Sequence, residues 1–260
     1  MLSRPSVKYL GHVALMRIPL GFKGSVEEVA QKLLREYSRV KTVVLIERVE
    51  GVHRVPRTRV LAGLPVTETL HRENGIVYKL DVQKLMFSLG NSFERRRMRS
   101  LPRRGEVIVD MFAGVGQFTV PLAKSQAEKV YAFEINPEAY RYLVENLKLN
   151  KVEQRVTAFL DDCRNAPSYG LEASANRVIM GYFPGTLDYL PTALKIVKVE
   201  GGYIHFHELA KPVDGWKDLY ERCRAIADRQ GFKLELEGKR GVKSYSPKLW
   251  HWVLDLRTSL

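Results

Sequence analysis
The sequence predicts an α/β protein: a mostly parallel sheet with helices on both faces and an antiparallel edge, preceded by a small basic α+β domain. Two observations predict it. From Glu106 onward, short apolar runs alternate with segments of helical periodicity, the pattern of successive βαβ units. The charge changes at the same place. Residues 1–104 carry 21 basic and 9 acidic side chains, whereas residues 105–260 carry 21 and 20. The boundaries follow as a basic domain over 1–84, a junction over 85–104 and the sheet domain over 105–260.

Upstream, Gly11–Leu20 reads as a strand stopped by Pro19 and Gly21. Ser25-Val-Glu-Glu28 is a capping box, and Ala30, Leu33, Leu34 and Tyr37 follow at helical spacing. Thr42–Ile46 is a β-branched strand. Arg48–Gly63, with Arg48, Arg54, Arg57, Arg59 and few core residues, reads as an exposed basic loop with ragged strands. Ile76–Val82 is a strand. In the junction, Met86–Asn91 is a loop and Ser92 caps a short helix that Leu101-Pro102 ends. Neighbouring helical residues lie ~100° apart, so Arg95, Arg96 and Arg97 must face different surroundings.

Downstream strands are expected at Val107–Asp110, Lys129–Glu134, Arg155–Leu160, Arg177–Met180, Tyr203–His207, Phe232–Glu237 and Leu249–Leu256. The last two are joined by a basic loop and supply the antiparallel edge. Helices are expected at Phe118 to about Lys124, from Asn136-Pro137 through Leu149, at Leu190–Val199 and at Trp216–Gln230.

Composition narrows the function. The chain is 45% apolar and 27% charged, which excludes wholesale disorder, and no stretch is long and apolar enough to span a membrane. The N-terminal residues do not read as a signal peptide. Cys163 and Cys223 are too few for a disulfide framework or a four-ligand zinc site, so a reduced cytoplasmic setting is expected. The net charge of +13, concentrated in the first two-fifths, favours a polyanion such as nucleic acid; a well-solvated basic face is the alternative.

The chemistry gathers at three points. Asp110-Met-Phe112-Ala-Gly114-Val-Gly116-Gln-Phe118 follows a buried strand and opens a helix, so backbone can approach a ligand there. The third glycine of the dinucleotide fingerprint is missing. Glu134 lies 20 residues beyond Gly114, where a carboxylate can take both hydroxyls of a ribose; alone, it also reads as a helix-capping acid. Asp161-Asp162-Cys163 follows the third strand, where an acid can meet an adenine amino group. His205 and His207 share a strand face and, with Glu208, suggest a metal or a base. No third well-spaced ligand is visible, so core histidines and no metal are expected.

These residues resemble a family. Asp-x-Phe-Ala-Gly-x-Gly-x-Phe, Glu-Ile-Asn-Pro and Asp-Asp-Cys-Arg look like class I S-adenosylmethionine-dependent transferases, which are Rossmann-like. With Thr67-Glu-Thr-Leu-His71-Arg-Glu-Asn-Gly75, Asp81-Val-x-Lys84-x-x-Phe87-Ser88 and Glu94-Arg95, the chain from about residue 8 to 257 resembles the tRNA guanine-37 N1-methyltransferases and the related wybutosine-synthesising aminocarboxypropyltransferases. Two departures separate the relatives. The methyltransferase junction reads Phe-Ser-Pro-Arg, against Phe87-Ser88-Leu89-Gly90 here. Its Asn-Leu-Pro after the fourth strand is replaced by Gly181-Tyr182-Phe183-Pro184. Loss of both polar groups would leave guanine N1 without its proton-handling and orienting partners. The extra N-terminal domain that archaeal methyltransferases often carry is also expected to be missing. The resemblance therefore implies transfer of the 3-amino-3-carboxypropyl group to C7 of the tricyclic wyosine precursor at position 37 of tRNA-Phe, with guanine-37 N1-methylation as the alternative.

It also implies site roles, with S-adenosylmethionine as donor. Asp110, Phe112, Gly114, Gly116, Glu134, Ile135, Asp161, Asp162 and Cys163 would line the donor site, Asp161 or Asp162 facing adenine. Ser88 and Arg95 would steer the methionine end, although a phosphate contact suits Arg95 equally. Tyr182, Phe183 and Pro184 would wall the base, or simply pack the sheet end. Arg54, Arg57, Arg59 and Arg72 would grip tRNA. No catalytic base is assigned, and a monomer is expected. An RNA-binding scaffold with a defunct donor site is the other class of protein these features allow, which Gly114, Gly116, Glu134 and Asp162 argue against.

Overall fold
The computed structural model describes residues 4–51 and 53–260. The chain divides into two compact units, Met1–Leu89 and Gly90–Leu260. In the first, β1 (Ser6–Leu10) and β2 (Val13–Arg17) form a hairpin; β1 has no counterpart in the sequence reading. Helix α1 (Val26–Glu36) starts at Ser25, whose Oγ accepts the Glu28 N–H at 3.1 Å. Ala30 and Leu33 pack against Ala14, Met16 and Val43. Tyr37 departs from expectation, ending the helix exposed and tilted against Tyr9.

The stretch read as an exposed basic loop with ragged strands holds the end of one strand, a turn and the whole of the next strand. β3 (Thr42–Glu50) runs parallel to β2, and β4 (Val55–Gly63) pairs antiparallel to β3 through two bulges, giving the order β1-β2-β3-β4. Arg57 and Arg59 point out on alternate positions while Pro56 and Ala62 are buried, so the arginines masked the alternation. β5 (Glu68–Glu73) and β6 (Ile76–Asp81) form a separate hairpin around Asn74-Gly75, both at positive φ as a tight hairpin turn requires.

In the second unit, α2 (Ser92–Ser100) has Asn91, not Ser92, at its N-cap, with no side-chain cap bond. Its arginines separate as helical geometry demands: Arg95 is buried, Arg96 exposed and Arg97 between the two. Then follow β7 (Val107–Asp110), α3 (Thr119–Ala123), β8 (Lys129–Glu134), α4 (Pro137–Leu149), β9 (Val156–Leu160), β10 (Arg177–Met180), α5 (Leu190–Ile196), β11 (Tyr203–Ala210), α6 (Gly215–Asp228), β12 (Lys233–Ser246) and β13 (Leu249–Ser259). Asn136 caps α4 by accepting from the Glu138 N–H at 3.0 Å.

The sheet order is β12-β13-β11-β10-β7-β8-β9, with β13 antiparallel to both neighbours and the rest of the central pairs parallel. Helix α5 stops three residues earlier than expected, because Lys198 N–H donates to the Ala175 carbonyl and draws the chain into a bridge. The final strands are longer than expected. Their "basic loop" is the far half of β12, paired to β13 through three irregularities. No helix among the described residues is long and apolar enough to cross a membrane.

A polar network ties α2 to the sheet. Asp255 on β13 accepts two bonds from Arg97, at 2.9 and 3.1 Å, and one from His205 Nδ1 at 2.6 Å. Arg97 also pairs with buried Glu94 at 2.9 Å, and Arg177 closes the other end on Glu106. Burial pushes the Asp255 carboxyl up, but the His205 and Arg97 contacts outweigh it and hold the group well below the usual carboxylate range. Asp255→Ala takes two hydrogen bonds from Arg97, leaving it only Glu94, and removes the acceptor of buried His205. We expect it to cost about 3 kcal/mol in denaturant unfolding; a loss under ~1 kcal/mol would mean that apolar packing alone holds α2.

Candidate active site
The carboxyl ends of β7, β8, β9 and β10 converge, as ligand sites of parallel sheets do. At the end of β7, buried Asp110 accepts the Thr119 hydroxyl at 2.7 Å and the Phe112 N–H at 3.3 Å, which fastens the start of α3. The chain then turns through Gly114 and Gly116, both at positive φ (55° and 92°). A Cβ on Gly116 would press on Val120 and Leu143 at about 3 Å, so the turn is packed from below. A Cβ on Gly114 would meet nothing nearer than Gln117 Nε2 at 4.0 Å, which leaves room above the turn for a ligand.

Glu134, at the end of β8, reaches into that turn. Its Oε2 accepts the Gly114 N–H at 2.7 Å and its Oε1 the Asn136 N–H at 2.8 Å. Burial raises its carboxyl and the backbone donors oppose the rise. Each oxygen keeps a second lone pair for a hydroxyl donor. Beside it, the apolar side chain of Ile135 is 37% exposed. After β9, Asp161 accepts from the Tyr169 hydroxyl at 2.8 Å and Asn165 Nδ2 at 3.0 Å; the Tyr169 bond leads the causes that lower its carboxyl. Asp162 caps the 3-10 turn Cys163–Tyr169 and pairs with Arg164 at 2.6 Å, which lowers its carboxyl. Cys163 is buried, and burial raises its thiol. Arg95, almost wholly enclosed, donates to Gln117 Oε1 at 3.3 Å and so stands at the glycine turn. Ser88 belongs to the first unit.

After β10 comes an aromatic wall. Tyr182 stacks on Phe112 at 5.1 Å, and Tyr189 meets Phe112 edge-on at 4.9 Å. Phe183 stacks on His251 at 4.2 Å. Pro184 is exposed. Gly181 lies over Phe118, where a Cβ would fall 2.8 Å from the ring. Sequence reasoning missed what fixes this loop. Buried Glu208 accepts from the Gly185 and Thr186 N–H groups at 2.9 and 2.8 Å, and the Thr186 hydroxyl donates to the Tyr182 carbonyl. The acidic residue beside two strand histidines was the available signal, weighed there only as part of a metal or base and set aside in favour of core histidines.

His205 and His207 do not act together. His205 is bonded to Asp255 on one side and Arg177 on the other, and His207 Nδ1 lies 3.0 Å from His251 Nε2. Burial lowers all three imidazoles, His251 to about 3. In the first unit, Arg57 lies 3.6 Å from Glu47 and Arg59 3.6 Å from Glu27, both at the surface; Arg54 occupies the turn before β4, and Arg72 is exposed on β5.

A parallel sheet with one inserted antiparallel strand, a glycine turn after its first strand and an acid after its second defines a class I S-adenosylmethionine-dependent transferase. A family model, the TRM5/TYW2 methyltransferase domain, matches residues 69–235. The tRNA(Phe) (4-demethylwyosine(37)-C(7)) aminocarboxypropyltransferase of Methanocaldococcus jannaschii is 39% identical over 255 residues, 96% of this chain and 98% of that one. The crystal structure of Trm5b from Pyrococcus abyssi superposes with a TM-score of 0.87 at 38% identity, over 98% of this chain and 75% of that one. Pyrococcus horikoshii TYW2 in complex with MeSAdo gives 0.83 at 36% identity, over 97% and 90%. The chain belongs to the TRM5/TYW2 family.

Asp110 yields a pH signature. Burial raises its carboxyl to about 6, against the bonds from Thr119 and Phe112. A raised carboxyl favours the folded state at low pH, and that contribution fades as pH rises through 6. Relative to Asp110→Asn, which does not titrate, the wild type should lose about 2 kcal/mol between pH 4 and 7.5, most of it below pH 6. Parallel stability curves over that range would show that Asp110 ionises normally.

Proposed function
We propose that this protein transfers the 3-amino-3-carboxypropyl group of S-adenosylmethionine to C7 of the tricyclic wyosine precursor at position 37 of tRNA-Phe, releasing methylthioadenosine. The observation that carries the choice between the two family reactions is the wall after β10. Gly181 supplies no amide, the ring of Phe118 fills the space a side chain would need, and flat aromatic faces follow. Gly90 supports it: the stem of Lys243 lies where a side chain at 90 would sit, 2.8 Å from its Cβ. Methylation of guanine N1 needs a group to take the N1 proton, and neither position offers one.

S-adenosylmethionine supplies a sulfonium with three carbons open to in-line attack, so the arm that faces the acceptor selects the product. This chain's residues do the placing. The Glu134 carboxylate takes the ribose hydroxyls, and exposed Ile135 with Asp161, Asp162 and the Cys163 backbone frames adenine. The turn through Gly114 and Gly116, held by Asp110 and Phe112, lets backbone approach the donor. Arg95 clamps the methionine carboxylate or a phosphate. Tyr182 and Phe183, with Pro184, bear the flat base. Arg54, Arg57, Arg59 and Arg72 of the basic unit grip the tRNA; surface ion pairs such as Arg57–Glu47 contribute under ~1 kcal/mol and yield readily to phosphate. A monomer working in the cytoplasm completes the reading.

The test uses donor labelled on the methyl group or on the carboxyl carbon, with tRNA-Phe bearing the precursor and with unmodified tRNA-Phe. We expect carboxyl label on the precursor-bearing tRNA alone, with methylthioadenosine released. Methyl label on unmodified tRNA would establish the guanine methyltransferase instead. Glu134→Ala should weaken S-adenosylmethionine binding about 10- to 100-fold in calorimetry, as expected for hydrogen bonds to a charged acceptor. Unchanged affinity would remove Glu134 from the donor site.

A further inference from the structure
Residues 105–260 are almost balanced in charge, yet one strip of that surface is strongly basic. Residues 238–250 contain Lys239, Arg240, Lys243 and Lys248 and no acid. The fold sets part of this segment beside α2. Phe93, 53% exposed, has the Arg96 guanidinium 5.7 Å from its ring centroid and that of Arg240 at 5.6 Å. Arg240 is anchored 3.3 Å from Glu94. Lys243 lies along Gly90, which has no side chain to obstruct it. Tyr245 is 49% exposed and meets Phe183 nearly edge-on, at 6.2 Å and 84°. Phe93 therefore stands between the cations Arg96 and Arg240, Lys243 and Tyr245 follow on the same strand as Arg240, and Tyr245 meets the aromatic wall.

Exposed rings interleaved with cations suit single-stranded nucleic acid, whose bases stack on rings while its phosphates meet the charges. A protein partner of acidic surface would use the cations but would give the paired, half-exposed rings no repeating flat face. We propose that this track holds the unpaired RNA flanking the target nucleotide, with Phe93 and Tyr245 stacking bases, Arg96 and Arg240 meeting phosphates, and Lys248, exposed in the turn that follows β12, meeting the next one. The inference rests on the function proposed above, since it continues the base wall along the RNA strand.

Binding separates the two. The full chain would be titrated, by fluorescence anisotropy, into the labelled anticodon stem–loop of tRNA-Phe and into a blunt RNA duplex of equal length. Tyr245→Ala and Phe93→Ala should each raise the stem–loop Kd about 10-fold, Tyr245→Phe should keep wild-type affinity, and duplex binding should not respond. Arg96→Ala and Lys248→Ala should each flatten the log Kd against log salt slope by about 0.7. Unchanged melting temperatures would exclude misfolding as the cause. The track is overturned if affinities and slopes stay at wild-type values, if Tyr245→Phe is as weak as Tyr245→Ala, or if the duplex responds equally. Stem–loop binding that follows the expected pattern without transfer of carboxyl label would sink the proposed reaction and leave the track standing.

Discussion

The carboxylate of Asp255 is the point on which the second unit is registered. It joins β13 to β11 through His205 and to α2 through both nitrogens of the Arg97 fork. The neutral tautomer of His205 fits both its contacts: Nδ1 donates to Asp255, and Nε2 accepts from Arg177. Acids and arginines alternate along the chain of contacts, from Glu106 and Arg177 across neutral His205 to Asp255, Arg97, Glu94 and Arg240. Such a network resists rearrangement because removing any member strands another in a site of poor solvation. Helix α2 is thereby fixed in rotation. Arg95 faces the glycine turn because Arg97 faces the sheet, and Arg96 is left at the surface.

The strand ends divide labour in a way that this registration serves. Glu134 is fastened to the turn it helps to form, so its carboxylate and the glycine backbone move as one body. Opposite it, Glu208 fastens the loop after β10 from the neighbouring strand. Neither carboxylate depends on a flexible side-chain partner, since both are held by backbone N–H groups. The geometry between donor and acceptor sides is therefore set by the sheet itself, which is the element least able to deform.

Much of this was legible in the sequence, and what was not has identifiable causes. β7, β8, β10 and α4 fall on the residues that apolar runs and the Asn136-Pro137 cap marked out, because parallel core strands and capped helices write their limits locally. β4 was hidden because arginines occupied its outward positions, leaving too few apolar residues to show the alternation. The far half of β12 was hidden likewise, its basic run being compatible with a loop until β13 supplies a pairing partner. At the site, Gly114, Gly116 and Glu134 announced themselves by spacing. The contacts of Glu208 with Gly185 and of His207 with His251 join positions 23 and 44 residues apart and have no local signature.

Gly181 over the Phe118 ring has a consequence for how the two activities of this family can be connected by mutation. Residue 181 begins the loop that carries the aromatic wall, whereas residue 118 opens α3 below it, so a change at one is judged against the identity of the other. An asparagine introduced at 181 in this background collides before it can contribute chemistry, and a smaller residue at 118 leaves a void before it is of use. The two positions are epistatic. Any path between the reactions must pass through a poorly packed intermediate or change both residues together, and that barrier keeps sibling enzymes distinct although their folds remain superposable.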